Sequence, residues 1–588
     1  MMYPYVLLFA LLSLAAVEGA TLLPGKPNRG PPPPSPDVAP GETIDLEGQL
    51  TLVNTHDGRE RYALMDYNGV LTPFSADFVL PAADKDNNRI ETGAVVGMQC
   101  VVGPPKYCGC GDVGANCTCP DDASTTACVS APQAAISLLM SASQALAFGP
   151  SSTGSQQKLL VMILDYSACG LAPSLTESQV RKIFLGPDED GLGGVAKKYS
   201  QCSYYKFGLN VTAFTAVRIS LNCSSTVIDS CSWWTISQRA DDAAKLKLGL
   251  TAFATFTHFT YVLPPGLQRS CPWAGLALLP GRQTWLQSSS YGIQRWATVM
   301  QEAIHNYGLW HSWRNGWEYE DYSTAMGRGD ACPNAAETSR LGWATPADGG
   351  DAINSGVLAD VGTVRSWPLP ATYLTGEGNY LRVLPDWLPT DTGAKNLYID
   401  LRVNKEGDAA LGSDYANKVH VHEVNATMDN GYPSSYTYSD RRIEFIGGVD
   451  PSSRAVYSAY KLVIYASPIS ASDTIMVYLC RYDTVDGQCP SLDDALGASS
   501  SPPSSPQTPS SPQPPPPKSP PPKPPPPTKP PPKSPPPSRM PPPWRSPPPP
   551  RTSPPPPWRS PPHRRRQPPP RKVSACMLRL DDQLQGVR

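Results

Sequence analysis

VMQEAIHNYGLWHS, running from Val299 to Ser312, decides how this chain is read. With the preceding GIQRWAT it sets Ile293, Trp296, Ala297, Met300 and Ile304 on one face of a helix. Gly308 suits the left-handed turn that ends such a helix. Gln301 and His305 lie one turn apart on a shared face, where two side chains can grip one metal ion. Glu302 stands beside them as a base for a water proton. Beyond the glycine turn, His311 returns as a third donor from outside the helix. Two imidazoles and one amide oxygen suit a weakly held Zn2+ or, since copper binds N/O sites tightest among divalent ions, Cu2+.

Gln301, Glu302, His305, Gly308 and His311 match the long zinc signature H-E-x-x-H-x-x-G-x-x-H at every position but the first. DYSTAMG follows, and its Met326 is similar to the methionine of a Met-turn. With KKYSQCSYYKFGLNV, CPNAAETSRLGW and HVHEVNATMDNGYP, the stretch from Leu159 to Cys489 resembles the gametolysin family of green-algal matrix and cell-wall metalloproteases. That resemblance implies an α+β, metzincin-like catalytic domain with a mixed sheet and an active-site helix. It implies a secreted endopeptidase acting on Pro/Hyp-rich glycoproteins of the extracellular matrix or cell wall. It also implies Gln301, His305 and His311 as metal ligands, Glu302 as general base and Met326 beneath the site, with zinc expected and copper the alternative. The glutamine keeps two rivals open: a catalytically inactive matrix glycoprotein on a protease scaffold, and a copper-binding matrix protein.

The rest of the chain is organised around this stretch. MMYPYVLLFALLSLAAVEGA (1–20) has the apolar run and small-residue end of a secretory signal. Residues 21–150 read as a β-rich, Cys-rich pro-region, 155–375 as the catalytic domain and 376–490 as a β-sandwich-like domain. The last is expected from the alternating runs NLYIDLRV, KVHVHEV, RRIEFIGG, KLVIYAS and TIMVYLCRY. LLVMILDYS suits a buried central strand, and LTESQVRKIFLG a capped amphipathic helix. Residues 491–572 form a Pro-rich basic tail, with a short segment at 573–588; residues 501–572 hold 38 of the 70 prolines and cannot bury a core. The tail resembles extensin-like hydroxyproline-rich glycoproteins.

Charge and cysteine usage narrow the partners. Residues 501–572 carry 13 Lys or Arg and no acid, so a net charge of −2 leaves −15 for the remainder. Basic residues scattered among prolines favour acidic polysaccharides over nucleic acid. No later stretch has the roughly 18 uninterrupted apolar residues that span a bilayer. Fifteen cysteines, six of them from Cys100 to Cys128, predict disulfides in an oxidising compartment. Asn116, Asn210, Asn222 and Asn425 begin glycosylation sequons. The odd count leaves at least one cysteine free, intermolecular or masked, and PPKYCGCGD offers Cys108 or Cys110 either to occupy the open metal position in a latent form or as two more disulfide cysteines. Tyr322, near Met326, is a candidate to approach the metal; His420 and His422 share a strand face; Trp310 and Trp313 are expected to pack in the core.

Overall fold

The computed structural model describes residues 41–54, 60–67, 69–104, 127–142, 144–145, 152–389, 394–430 and 441–497. All lie in one compact unit, Met1–Ser505. The signal-like segment, Cys108, Cys110, the Pro-rich tail and the C-terminal segment fall outside the described residues. The architecture is α+β, rich in sheet with few helices.

An antiparallel sheet comes first: β1 (Thr43–Asn54), β2 (Glu60–Met65), β3 (Leu71–Pro73), β4 (Val95–Gly103), β5 (Ala127–Ser130) and β6 (Ile136–Met140). The alternation at the start of β1 gives way to Leu50–Val53, all buried, because there both faces are covered. Leu50 enters the core of its own sheet, while Val53 joins a core of the following segment.

That segment is built on a five-stranded sheet in the order β10-β8-β11-β13-β12. The strands are β8 (Leu159–Asp165), β10 (Thr215–Ser220), β11 (His258–Leu263), β12 (Gly275–Ala277) and β13 (Gln283–Gln287). β7 (Ser155–Gln157) and β9 (Phe207–Leu209) form a separate parallel pair. β10, β8, β11 and β13 run parallel; β12 alone is antiparallel and closes one edge. Every residue of β8 is buried, as a continuous apolar run between covered faces requires. Leu159, Val161 and Ile163 point to one side, where α1 (Glu177–Leu185), α2 (Gly194–Cys202) and α4 (Trp296–His305) pack. Leu160, Met162 and Leu164 point to the other, against α3 (Trp233–Leu248). Thr176 and Gln179 close a reciprocal capping box at the start of α1, as their spacing predicts.

The C-terminal strands form two sheets over one core. The first runs β15-β14-β20-β19-β18-β17 and the second β16-β23-β22-β21. Their members are β14 (Ser312–Arg314), β15 (Trp317–Glu318), β16 (Val364–Pro370), β17 (Tyr380–Val383), β18 (Lys395–Arg402), β19 (Lys418–Asn425), β20 (Ile443–Val449), β21 (Ser453–Tyr457), β22 (Leu462–Ala466) and β23 (Thr474–Arg481). Leu369, Ile399, Leu401, Val421, Ile464 and Val477 fill the space between them. The strand after His311 enters this sheet: β14 pairs in parallel with β20, Ser312 opposite Ile443. A short helix, α5 (Ala335–Arg340), follows the loop that carries Met326.

Disulfides join Cys100–Cys128, Cys169–Cys223, Cys202–Cys332, Cys231–Cys271 and Cys480–Cys489. No helix among the described residues is long and apolar enough to cross a membrane.

Candidate metal centre

The last nine residues of α4, Ala297 to His305, are all buried, so the helix runs through the core. Gln301 and His305 follow each other at one turn. The helix stops at His305; Gly308 takes a left-handed backbone (φ +87°) and donates its N–H to the His305 carbonyl at 2.9 Å. The chain reverses, and His311 comes back beside His305. Their ring centres lie 4.7 Å apart at 83°. Imidazoles sharing one tetrahedral ion through Nε2, with bonds of about 2.0–2.1 Å, have ring centres roughly 5 Å apart. The observed pair sits close to that separation.

Each imidazole has its other nitrogen engaged. His305 Nδ1 lies 2.7 Å from the Leu309 carbonyl, which can only accept, so Nδ1 carries the proton and Nε2 the lone pair. His311 Nδ1 lies 2.6 Å from Glu318 Oε1, which fixes the same tautomer and the ring's orientation. The Tyr319 hydroxyl meets His311 Nε2 at 3.1 Å.

Glu302 is buried on α4, and the lack of solvent pushes its carboxyl up to about 8. Its carboxyl group rests against the bare backbone of Gly275 on β12; a Cβ there would come within 2.4 Å of Oε1. Met326 is fully buried in the same core as Met300 and Ile304. Its carbonyl accepts from the N–H of Ser312, the residue after His311, at 2.9 Å. Among the described residues no group of three His, Cys, Asp or Glu side chains is arranged to hold an ion. Any ion at His305 and His311 needs another donor type, and Gln301 is the amide one turn earlier.

Two residues at this site escaped the sequence reading. Glu318 and Tyr319 arrive through a hairpin whose turn residues, Asn315 and Gly316, both have positive φ, +54° and +77°. That is the two-residue turn that Asn-Gly specifies, and it sets Glu318 opposite Trp313. The Asn-Gly pair just past His311 was the available signal. Tyr322 faces solvent instead, 43 % exposed. It lines an open cleft of about 460 Å³ with Arg314, Asn315, Trp317, Glu318, Glu320 and Arg328. Trp310 is buried against Leu52 and Leu279, in the packing role expected of it.

His420 and His422 share a face of β19 but are buried in the protein interior. His420 Nε2 meets the Tyr415 carbonyl at 2.6 Å, and His422 Nε2 meets Asp321 Oδ2 at 3.1 Å. Asp321 also accepts from Ser312 Oγ at 2.7 Å and from the Ser323 N–H at 2.8 Å. Those bonds, led by the one from His422, outweigh burial and hold its carboxyl down at about 2. A buried carboxylate thus joins the residue after His311, the start of the Met326 loop and β19.

The family profile Gametolysin peptidase M11 matches residues 158–459. Autolysin from Chlamydomonas reinhardtii is 24 % identical over 445 residues, covering 57 % of this chain and 69 % of that protein. No solved structure matches.

Proposed function

The chain belongs to the gametolysin peptidase M11 family, and on that premise we propose that it is a secreted, metal-dependent endopeptidase cutting Pro/Hyp-rich glycoproteins of an extracellular matrix or cell wall. One observation carries the reading. His305 and His311 stand side by side with both Nδ1 atoms bonded to acceptors, so Nε2 is the lone-pair nitrogen of each ring, next to a buried glutamate. This donor set fits a divalent ion: Gln301, His305 and His311 would hold Zn2+, with Cu2+ the alternative. A bound ion would polarise the scissile carbonyl and make water easier to deprotonate.

The chain's own residues supply the rest. Glu302 takes the proton of the attacking water as its oxygen bonds to the carbonyl carbon. It then delivers that proton to the nitrogen as the C–N bond breaks. Its dry surroundings raise its proton affinity, which favours the first transfer. Glu318 and the Leu309 carbonyl keep the two imidazoles oriented, and Met326 forms the floor.

Disulfides and the apolar N-terminal run support export. Residues 21–150 act as a pro-region, and the basic tail tethers the enzyme to acidic polysaccharides.

The test is elemental analysis of the purified protein together with a cleavage assay on a Pro-rich glycoprotein. Glu302→Ala is expected to keep the metal and lose cleavage by about 10²–10⁴-fold. His305→Ala should lose both, and Gln301→His should tighten zinc. An active Glu302→Ala enzyme defeats the mechanism. Full metal occupancy without cleavage favours a copper-binding matrix protein, and neither metal nor cleavage an inactive scaffold.

A further inference from the structure

Trp317 stands in a short strand, yet its side chain is 73 % exposed. A single exposed aromatic needs no explanation, but this one shares its cleft with a second, Tyr322. Among the described residues the Trp317 indole makes no hydrogen bond, ring contact or cation contact. Its place is fixed all the same. Trp317 pairs with Arg314 across the Asn315-Gly316 turn. The Arg314 guanidinium is anchored by the Tyr415 hydroxyl at 2.6 Å and lies over the Tyr415 and Phe445 rings at 5.3 and 5.5 Å. A rigid indole with an open face and an open N–H beside a cleft is suited to hold a ligand.

The lining says which ligand. Arg328 lies against the Tyr322 hydroxyl and pairs with Glu320 at 2.6 Å, which holds the second ring in place. The charged residues of the lining are Arg314, Arg328, Glu318 and Glu320, so their charges cancel. A cleft without net charge has no field to select a charged ligand. It offers two aromatic faces and an indole N–H. Such a surface takes an uncharged ring that packs flat on it and a carbonyl that accepts the N–H. A proline in a polyproline II segment brings both. Its chain is ordered before it binds, so an open cleft can hold it at little entropic cost. Glu318 joins the cleft to the centre, because it lines the one and holds His311 in the other. At a rise of about 3.1 Å per residue, an extended chain passes between them in roughly two to four residues.

We propose that this cleft is a substrate subsite in which Trp317, with Tyr322 beside it, packs on a proline about two to four residues from the bond that is cut. The inference rests on reading residues 301–311 as a peptidase centre, and it adds the residue that sets sequence preference. Trp317 meets the substrate away from the reacting atoms. It therefore acts on binding and leaves the chemical step alone.

The probe is fluorescein-labelled deca-proline, titrated with the full-length protein and followed by fluorescence anisotropy. The wild type is expected to bind it, and to bind a Gly-Ser peptide of equal length at least about 10-fold more weakly. Trp317→Ala weakens deca-proline binding on the order of 10–30-fold. Trp317→Tyr, which keeps an aromatic face and a donor, recovers most of it, and Tyr205→Ala, at an exposed tyrosine outside the cleft, changes nothing. On a Pro-rich glycoprotein Trp317→Ala raises KM about 10-fold, with kcat within about twofold and metal content unchanged. Equal deca-proline binding by wild type and Trp317→Ala overturns the subsite, and so does no binding by the wild type. Tighter binding of a neutral oligosaccharide than of deca-proline also overturns it and makes the cleft a glycan site. The two levels separate through the centre. If metal and Glu302-dependent cleavage are present and Trp317→Ala has no effect, only the subsite fails. If Trp317-dependent binding occurs in a protein with neither metal nor cleavage, the subsite stands and the peptidase reading fails.

Discussion

At the scale of single residues, Glu302 works at the edge of available space. Its carboxyl group lies against Gly275, where any side chain would collide with it. Gly275→Ala should therefore shift the carboxyl group while β12 and α4 stay in place, since the crowded neighbour is a side chain rather than backbone. A displacement of about 1 Å at a reacting group costs on the order of 100-fold in rate, whereas thermal stability should change by no more than about 1 kcal/mol. Cleavage kinetics beside a melting curve check this; a variant as active as the wild type would mean that Glu302 is not the proton carrier. The neighbourhood of Gln301, Glu302 and His305 was legible in the sequence because helical spacing and a glycine stop are local properties. Gly275, Glu318 and Tyr319 were not. The first depends on an edge strand meeting a helix across the core, and the others on a hairpin held by β20, 131 residues after Ser312.

At the scale of elements, the loop carrying Met326 is fixed from both sides by buried carboxylates. Asp321 joins it to β14 and β19, and Glu337 of α5 accepts from Thr324 Oγ1 at 2.5 Å and from the Asn334 N–H at 2.8 Å. Thr324 Oγ1 in turn accepts from the Met326 N–H at 3.1 Å. Asn334 and Glu337 close a reciprocal capping box at the start of α5, and the same glutamate also supports the loop, a contact that needs the folded chain. Glu337 is fully buried, its Oε1 has no partner among the described residues, and burial pushes its carboxyl up to about 7 from an ordinary value near 4.5. Between those two values the folded protein holds a proton that the unfolded chain has released. Stability should thus fall as pH rises from about 4.5 to about 7 and level off above, by up to roughly 3 kcal/mol from this group. Glu337→Gln, neutral throughout, should flatten that part of the curve. Melting temperatures of both proteins from pH 5 to pH 8 read the difference, and an equal slope in the variant would place its origin elsewhere.

At the scale of the whole molecule, the N-terminal sheet meets the following segment beside the centre. Leu52 and Leu279 exchange backbone hydrogen bonds at 3.0 and 2.8 Å, and Thr51 Oγ1 donates to the Pro280 carbonyl at 2.7 Å. Leu52 and Leu279 pack on Trp310, the residue before His311. β1 therefore bridges the chain just past β12, the edge strand whose Gly275 touches Glu302. The strand-rich character of the N-terminal segment was legible in the alternation of IDLEGQLTLVN; where its sheet docks was not, since one face of a strand gives no address for its partner. None of the disulfides among the described residues links this sheet to the rest. A protease cut between residues 145 and 152 should allow the sheet to dissociate and uncover the edge. If the sheet is a restraint, cleavage of a Pro-rich substrate rises after the cut and falls again when the released fragment is added back. Val53 and Ala63 complicate the release, because both are buried in the core around Leu276 and Trp285. Should they be a structural support rather than a plug, the cut protein would melt at a lower temperature and lose activity, and residues 41–145 would belong to the working enzyme.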